Sequence, residues 1–250
     1  MSSSNPSDPQ PSDPAVASKR ARRRISRNGG VALLCGVVLA GMVGAVYYAR
    51  KQQWWQAGVL AGLAALTKEP TLLFPAAYGV YWLYQRQWRR AMGFALVTVP
   101  FIIWQLVLHA HFGQFGVASG GATGTGFELI PFAGFLRILT DGGLWAFLLV
   151  GLLAAGVAVI PSVWGLWQSL QDAWKKRWSQ DTTMLFFQAL LLLFIPFSTY
   201  SEPIGIIRFI VGLQIAVMWY AAAYHHRRVL IYSTLWSLTS LFVIYSDLAR

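Results

Sequence analysis

The sequence predicts an all-α, polytopic membrane protein: a transmembrane bundle of about eight helices, with short broken helices around residues 67–70. Two observations predict this class. Hydrophobic residues make up 56% of the 250 residues and charged residues only 12%, which is about half the charged fraction of a typical soluble domain. Apolar runs close to membrane-spanning length also recur along most of the chain.

The N-terminal segment differs from the rest in composition. Residues 1–30 are predicted to form a disordered Ser/Pro-rich tail with a basic block, KRARRRISR, at 19–27, because they hold little to bury. Residues 31–250 are predicted to form the transmembrane domain. The first apolar run, 31–49, is longer than the apolar part of a typical signal peptide, so we expect it to be retained as a helix.

The remaining apolar segments differ in length. They cover residues 54–67, 71–85, 91–108, 143–167, 184–197, 207–224 and 229–246. Trp and Tyr cluster near the segment ends, which is typical of membrane–water interfaces. At about 1.5 Å per residue, the segments 54–67 and 71–85 each reach only about 20 Å across a roughly 30 Å hydrocarbon core.

Basic residues predict the orientation of the helices. They cluster in the connections that follow residues 49, 85, 174 and 224, and such connections are cytoplasmic in membrane proteins. We therefore interpret the net charge of +11 as orientation and contact with lipid headgroups, and we predict no nucleic-acid partner. The connections near Lys68, at 109–142 and at 198–206 then face the extracytoplasmic side.

This alternation places the basic block at 19–27 outside, against the orientation rule. Three explanations stay open. The first helix does not span fully, residues 54–85 count as one element, or the natural chain starts further upstream.

The stretch ALTKEPTLLFP at 65–75 places charges between two apolar runs. Pro70 is expected to end the first helix, leaving two short helices that meet at a break below the outer membrane surface, where Thr67 bonds the freed backbone. A charge at that depth costs about 2.5–3.5 kcal/mol unless it is paired or hydrated. Either Lys68 snorkels and pairs with Glu69, or the break opens a water-filled functional site.

The segment WWQAGVLAGLAALTKEPTLLFPAAYGVYWLYQRQWRRA, at 54–91, resembles part of the GT-C membrane glycosyltransferases. This superfamily includes the protein O-mannosyltransferases and the lipid A aminoarabinose transferases. PFIIWQLVLHAHFG, PFAGF and SEPIGIIRFIVGLQIAVM extend the likeness to residue 225. The resemblance implies a hexosyltransferase of the plasma (inner) membrane. It takes a sugar from a polyprenyl-phosphate donor and passes it to a cell-envelope glycan, glycolipid or protein on the extracytoplasmic side.

Such a transfer needs a cation for the developing phosphate charge and a base for the acceptor hydroxyl. Lys68 and Arg208 fall at the outer boundary and are the donor-phosphate candidates, and Glu69 is the candidate catalytic base. The secondary candidates are Arg137 for the phosphate, and Asp141, Glu128 and Glu202 for the base. The alternative roles are an orienting charge for Arg208, an interfacial anchor for Arg137, and solvated loop charges for the three carboxylates.

The expected partners are the lipid-linked sugar donor and membrane lipids. No cofactor or metal site is predicted, since His109 and His111 are too close together for a helical metal pair. In the superfamily the catalytic carboxylate lies in the first extracytoplasmic loop, which has no counterpart here. We therefore expect the missing half to lie upstream or in a second chain. The alternative functions are a catalytically incomplete accessory subunit and a secondary transporter.

Overall fold

The structure is a computed structural model that describes residues 40–67, 69–116, 128–201 and 203–248. Of these, it leaves out the side chains of residues 67, 69, 146, 201–205, 208 and 239–248. Contacts divide the chain into units 1–36 and 37–250, and everything described belongs to the second. The predicted disordered tail at 1–30 lies outside the described residues.

The described backbone is helical, and no strand occurs in it. The α-helices are α1 (40–50), α2 (Trp54–Thr67), α3 (Leu73–Tyr84), α4 (Trp88–Val97), α5 (Val99–Phe112), α6 (Ala133–Ala146), α7 (Leu152–Ala154), α8 (Ile160–Trp174), α9 (Gln180–Leu193), α10 (Phe197–Ser201), α11 (Pro203–Ala223) and α12 (Arg227–Leu248). A 3-10 helix, Glu69–Leu72, precedes α3. Two π-helical segments, Phe147–Gly151 and Ala155–Val159, flank α7.

Two of the described helices are long and apolar enough to cross a membrane. They are Trp88–Phe112, which joins α4 to α5, and Phe147–Trp174, which ends with α8. Shorter apolar helices accompany them at Trp54–Leu66 and Phe209–Ala223. The predicted all-α membrane fold is confirmed.

Helices α2 and α3 form an antiparallel hairpin. Trp54 begins α2 and Trp82 lies near the end of α3, yet their ring centroids are 4.9 Å apart. A continuous helix would separate these residues by about 42 Å. The explanation that 54–85 counts as one element is therefore wrong, and the predicted break between two short helices is confirmed. Residue 68, midway between the tryptophans in sequence, lies outside the described residues.

The basic connections meet at one end of the bundle, which we call the basic end. The Arg50 guanidinium pairs with Asp181 at 2.5 Å and lies 5.4 Å from the centre of the Trp219 ring. The Tyr224 hydroxyl donates a hydrogen bond to the Ser179 hydroxyl at 3.0 Å. These contacts join the connections that follow α1, α8 and α11.

The connection after α3 lies at the same end. The Arg90 guanidinium is 4.6 Å from the centre of the Trp82 ring and 5.1 Å from that of Trp54, the residue that follows the α1–α2 turn. Guanidinium groups bind favourably to tryptophan faces at such distances. All four basic connections therefore share one end, as the alternation of the helices predicted.

Helix α9 is at the centre of the described bundle, packed against α3, α8 and α11. Its Met184, Leu185, Ala189 and Leu192 are fully buried. Gly165 of α8 allows close packing, since a Cβ there would lie 3.1 Å from Leu185 Cδ1. Small residues at such contacts are typical of helix pairs in membranes.

A buried polar cluster ties α8, α9 and α11 together near the basic end. The Asp172 carboxylate accepts hydrogen bonds from the Tyr220 hydroxyl at 2.6 Å and the Thr182 hydroxyl at 2.9 Å. The Ser169 hydroxyl donates to the Thr182 carbonyl oxygen at 3.3 Å. All four residues are buried. The cluster connects three helices through side chains that the apolar interior does not solvate.

We expect Asp172→Ala to destabilise the protein by about 2 kcal/mol, because the buried hydroxyls of Tyr220 and Thr182 lose their charged acceptor. The measurement is the thermal denaturation midpoint in detergent micelles. Asp141→Ala is the matched control, since Asp141 is exposed, and it should leave the midpoint nearly unchanged. Equal shifts for the two variants would contradict a stabilising role for the cluster.

Helices α6 and α10 occur where the sequence predicted connections, at 109–142 and 198–206. Helix α6 mixes apolar, charged and small residues, so it contains no apolar run of the kind from which the helices were predicted. Gly143, with φ 74° and ψ 178°, separates it from the helix that follows. The predicted segment 91–108 corresponds to a longer helix, Trp88–Phe112, because backbone hydrogen bonding continues through polar residues at which an apolar run ends.

Candidate functional site

The end of the bundle opposite the basic end holds the candidate site, and we call it the far end. Helices α2 and α9 start at the basic end, and α11 finishes there. The hairpin apex, the segment after α9 and the first turns of α11 therefore lie at the far end. Of the predicted site residues, Arg208 belongs to α11. In sequence, Lys68 follows α2 and Glu202 precedes α11. Glu128 is bonded to the segment after α9.

The hairpin apex continues into the 3-10 helix Glu69–Leu72, whose Pro70 and Thr71 are buried. This short helix packs against α11. Helix α11 carries the backbone of Arg208 in its first half. The side chains of Glu69 and Arg208, all of Lys68 and the predicted Thr67 hydrogen bond lie outside the described residues.

The residues before α6 are fixed to the segment that follows α9. The Glu128 amide donates a hydrogen bond to the Phe194 carbonyl at 3.0 Å, and the Phe132 amide donates to the Leu193 carbonyl at 2.6 Å. Gly134 lies very close to residues 195–197, which follow Phe194. A Cβ added to Gly134 would be 2.8 Å from their backbone atoms. Glycine is needed for this approach, and it places the start of α6 at the far end.

Two secondary candidates, Glu128 and Arg137, form an ion pair. The Arg137 Nη1 atom lies 3.0 Å from Glu128 Oε1, and the two side chains are 50% and 16% exposed. A pair this exposed contributes at most about 1 kcal/mol to stability. The pair neutralises both charges. It also joins α6 to Glu128, whose backbone amide bonds the Phe194 carbonyl. The sequence predicts separate roles for these two residues, and no periodic signal between them predicts the pairing.

The other two secondary candidates are placed differently. Asp141 is exposed on α6 and accepts a hydrogen bond from the hydroxyl of its neighbour Thr140 at 2.9 Å. Glu202 lies outside the described residues. The structure thus brings Glu128 and Arg137 together and fixes the backbone positions of Glu69 and Arg208, while the catalytic roles of all these residues stay predictions.

Across the described ranges, no three His, Cys, Asp or Glu side chains group closely enough to hold a metal ion. Among the described side chains, the far end carries the Glu128 carboxylate and the Arg137 guanidinium near α6. Such groups suit proton transfer and the binding of a phosphate oxyanion.

Comparison with known proteins gives one match. The family model of glycosyltransferase family 87 matches residues 34–115, which are 82 of the 250 residues. The matched region contains the hairpin, with Lys68 and Glu69, and ends before α6 and Arg208. No curated protein and no solved structure matches the chain. About a third of the chain is therefore similar to a glycosyltransferase family, which supports the prediction of a membrane glycosyltransferase.

Proposed function

We propose that this protein transfers a sugar from a polyprenyl-phosphate-linked donor to an acceptor at the far end of the bundle. The observation that carries the proposal is the family match over residues 34–115, since this region contains the hairpin whose apex lies at that end. The acceptor is a cell-envelope glycan, glycolipid or protein.

The proposed chemistry follows from the donor. Its leaving group is already a phosphate, so bond cleavage needs a cation for the developing charge more than an acid. Lys68 and Arg208 supply that cation. The 3-10 helix that follows Lys68 in sequence packs against α11, the helix that carries Arg208, which supports a shared role. Glu69, next to Lys68, takes the proton from the acceptor hydroxyl.

The proposed location follows from the charges. Ten Lys and Arg residues occupy the basic connections: Arg50, Lys51, Arg86, Arg89, Arg90, Lys175, Lys176, Arg177, Arg227 and Arg228. Such connections stay in the cytoplasm, so the far end faces the extracytoplasmic side of the plasma (inner) membrane. An extracytoplasmic site suits a lipid-linked donor, because nucleotide sugars are made in the cytoplasm.

The donor class is tested by reconstituting the full chain in liposomes together with lipid acceptors extracted from membranes. One arm receives tritiated polyprenyl-phosphate hexoses and the other receives the corresponding nucleotide sugars. We expect label to leave the lipid donor and appear in a new product only in the first arm. Liposomes without protein are the control for spontaneous hydrolysis.

Three other results would each favour a different function. Use of the nucleotide sugar directly would contradict the proposed donor. If neither donor is consumed, but adding a second chain that co-purifies with the protein restores transfer, the protein is an accessory subunit or half of a split transferase. Uptake of labelled donor without product would indicate the transporter.

A further inference from the structure

Helix α6 presents three different faces, each about a third of a turn wide at about 100° per residue. Helix α6 packs against α10. The buried face holds Gly134 and Ile138, the polar face holds Arg137, Thr140 and Asp141, and the third face holds the exposed Leu136 and Leu139. A helix that only covered a protein core would need no separate apolar face on the outside.

The exposed apolar face continues beyond α6 in both directions. Before the helix, Leu129 is 94% exposed and Ile130 is 69% exposed. Beyond the kink at Gly143, Leu144 and Trp145 are also exposed. Large apolar side chains in one continuous exposed surface usually mark an interaction site.

We propose that this surface is immersed in the acyl-chain region of the far-side leaflet, while the polar face of α6 stays in water. Helix α6 is then an interfacial element rather than a membrane-spanning one. Its continuous part before Gly143, residues 133–142, reaches only about 15 Å, less than the roughly 30 Å core.

The following helix supports this position. Phe147–Trp174 has 28 residues and is about 42 Å long, so it crosses the core without help from α6. Gly143 ends the helical conformation between them, and α6 therefore leaves the axis of that helix. Exposed Leu148, Leu149 and Leu152 make its lipid-facing surface continuous with that of Leu144 and Trp145.

The charges also suit an interface. Arg137 is paired with Glu128, so the guanidinium beside the apolar face is neutralised and can lie at the headgroup level at low cost. Asp141 lies on the polar face and is directed away from Leu139 by about 160° around the helix. One face of α6 therefore fits lipid and another fits water.

The test uses site-directed spin labelling of the full chain in phosphatidylcholine–phosphatidylglycerol liposomes. Cys35 is the single cysteine, so Cys35→Ser gives a background for Leu139→Cys and the matched Asp141→Cys on the polar face. Each nitroxide is tested for collisions with oxygen, which concentrates in the acyl region, and with a water-soluble nickel chelate. We expect the label at 139 to collide several-fold more with oxygen, and the label at 141 to show the reverse.

Two results would overturn the proposal. Equal nickel accessibility at 139 and 141 would put the apolar face in water. An immobilised label at 139 that neither reagent reaches would mean that protein covers the face: another part of this chain, a second copy or a partner. Leu136→Cys repeats the measurement on the same face if Leu139→Cys does not fold. The readout needs no enzymatic activity, so it is independent of the proposed function.

Discussion

Replacing Lys68 or Arg208 with glutamine is expected to lower the rate of sugar transfer by about 100-fold or more. Glutamine keeps a hydrogen-bonding side chain but removes the positive charge that stabilises the departing phosphate. Loss of one preorganised group that stabilises a developing negative charge typically costs about 10²–10³ in rate. The measurement is the initial rate of product formation in the liposome assay, normalised to the amount of inserted protein.

Lys175→Gln and Arg228→Gln are matched controls for these variants. Both residues are exposed at the basic end, so their replacement should leave the rate close to that of the unchanged protein. Normal transfer by the Lys68 and Arg208 variants would remove their proposed roles. An equal loss in all four variants would instead indicate that the charges set membrane orientation.

Gly212→Ala is expected to destabilise the protein by about 3 kcal/mol, an overpacking effect in the centre of the bundle. A Cβ at position 212 of α11 would lie 2.4 Å from the Gln188 Oε1 atom of α9. Gln188 is fully buried, so either its amide must rotate against the surrounding side chains or the two helices must separate. The measurement is the midpoint of thermal aggregation, followed by size-exclusion chromatography in detergent.

Two further variants identify the cause. Adding Gln188→Ala to Gly212→Ala should restore most of the lost stability, because the amide that meets the new methyl group is gone. Gly93→Ala is the matched control, since an added Cβ there meets nothing within 4 Å. It should cause no loss, because alanine favours a helix more than glycine does. A double variant as unstable as Gly212→Ala alone would show that the clash lies elsewhere.

Gln188 also shows why the contact between Gly212 of α11 and Gln188 of α9 cannot be predicted from sequence. Among the described residues, neither atom of its amide has a hydrogen-bonding partner, although buried amides are normally bonded. The interior position of Gln188 depends on how α9 is rotated about its axis. Helices that are apolar on most faces, such as α9 and α11, do not encode that rotation in their periodicity.

The hairpin was predictable because its signals are local. Lys68, Glu69 and Pro70 interrupt an apolar run, and charges and proline are both costly inside a membrane helix. The shared basic end was predictable because one physical rule acts on every connection. Each of these signals can be read from a few adjacent residues.

The pairings that hold the described bundle together were not predictable. Arg50 pairs with Asp181, and Asp172 accepts from Tyr220, across 131 and 48 positions of the sequence. Their contact depends on which helices are neighbours, which no local pattern determines. Helix α6 was missed for a different reason: Arg137, Thr140 and Asp141 interrupt it, so it has no continuous apolar run of the kind from which the helices were predicted.

The candidate site was predictable as an end of the bundle, but not as a set of contacts. The alternation of the helices alone predicts residue 68 on the side opposite the basic connections. Its distance from Arg208 could not be predicted, because 140 positions separate them and helix neighbours are set by packing. The pair formed by Glu128 and Arg137 likewise depends on the fold of the loop before α6.

The first helix of the hairpin, α2, is shorter than the neighbouring helix Trp88–Phe112. Helix α2 is about 21 Å long, whereas Trp88–Phe112 is about 37 Å long. Both contribute exposed apolar residues to the outer surface, including Leu63 on α2 and Ile102 on α5. A hydrocarbon core of roughly 30 Å exceeds α2 by about 9 Å. Local thinning, snorkelling of flanking residues or association of chains accommodates such a mismatch, and each ångström costs a fraction of a kcal/mol. Membrane thickness consequently acts unevenly around this protein, and a thinner bilayer favours the side that carries the hairpin.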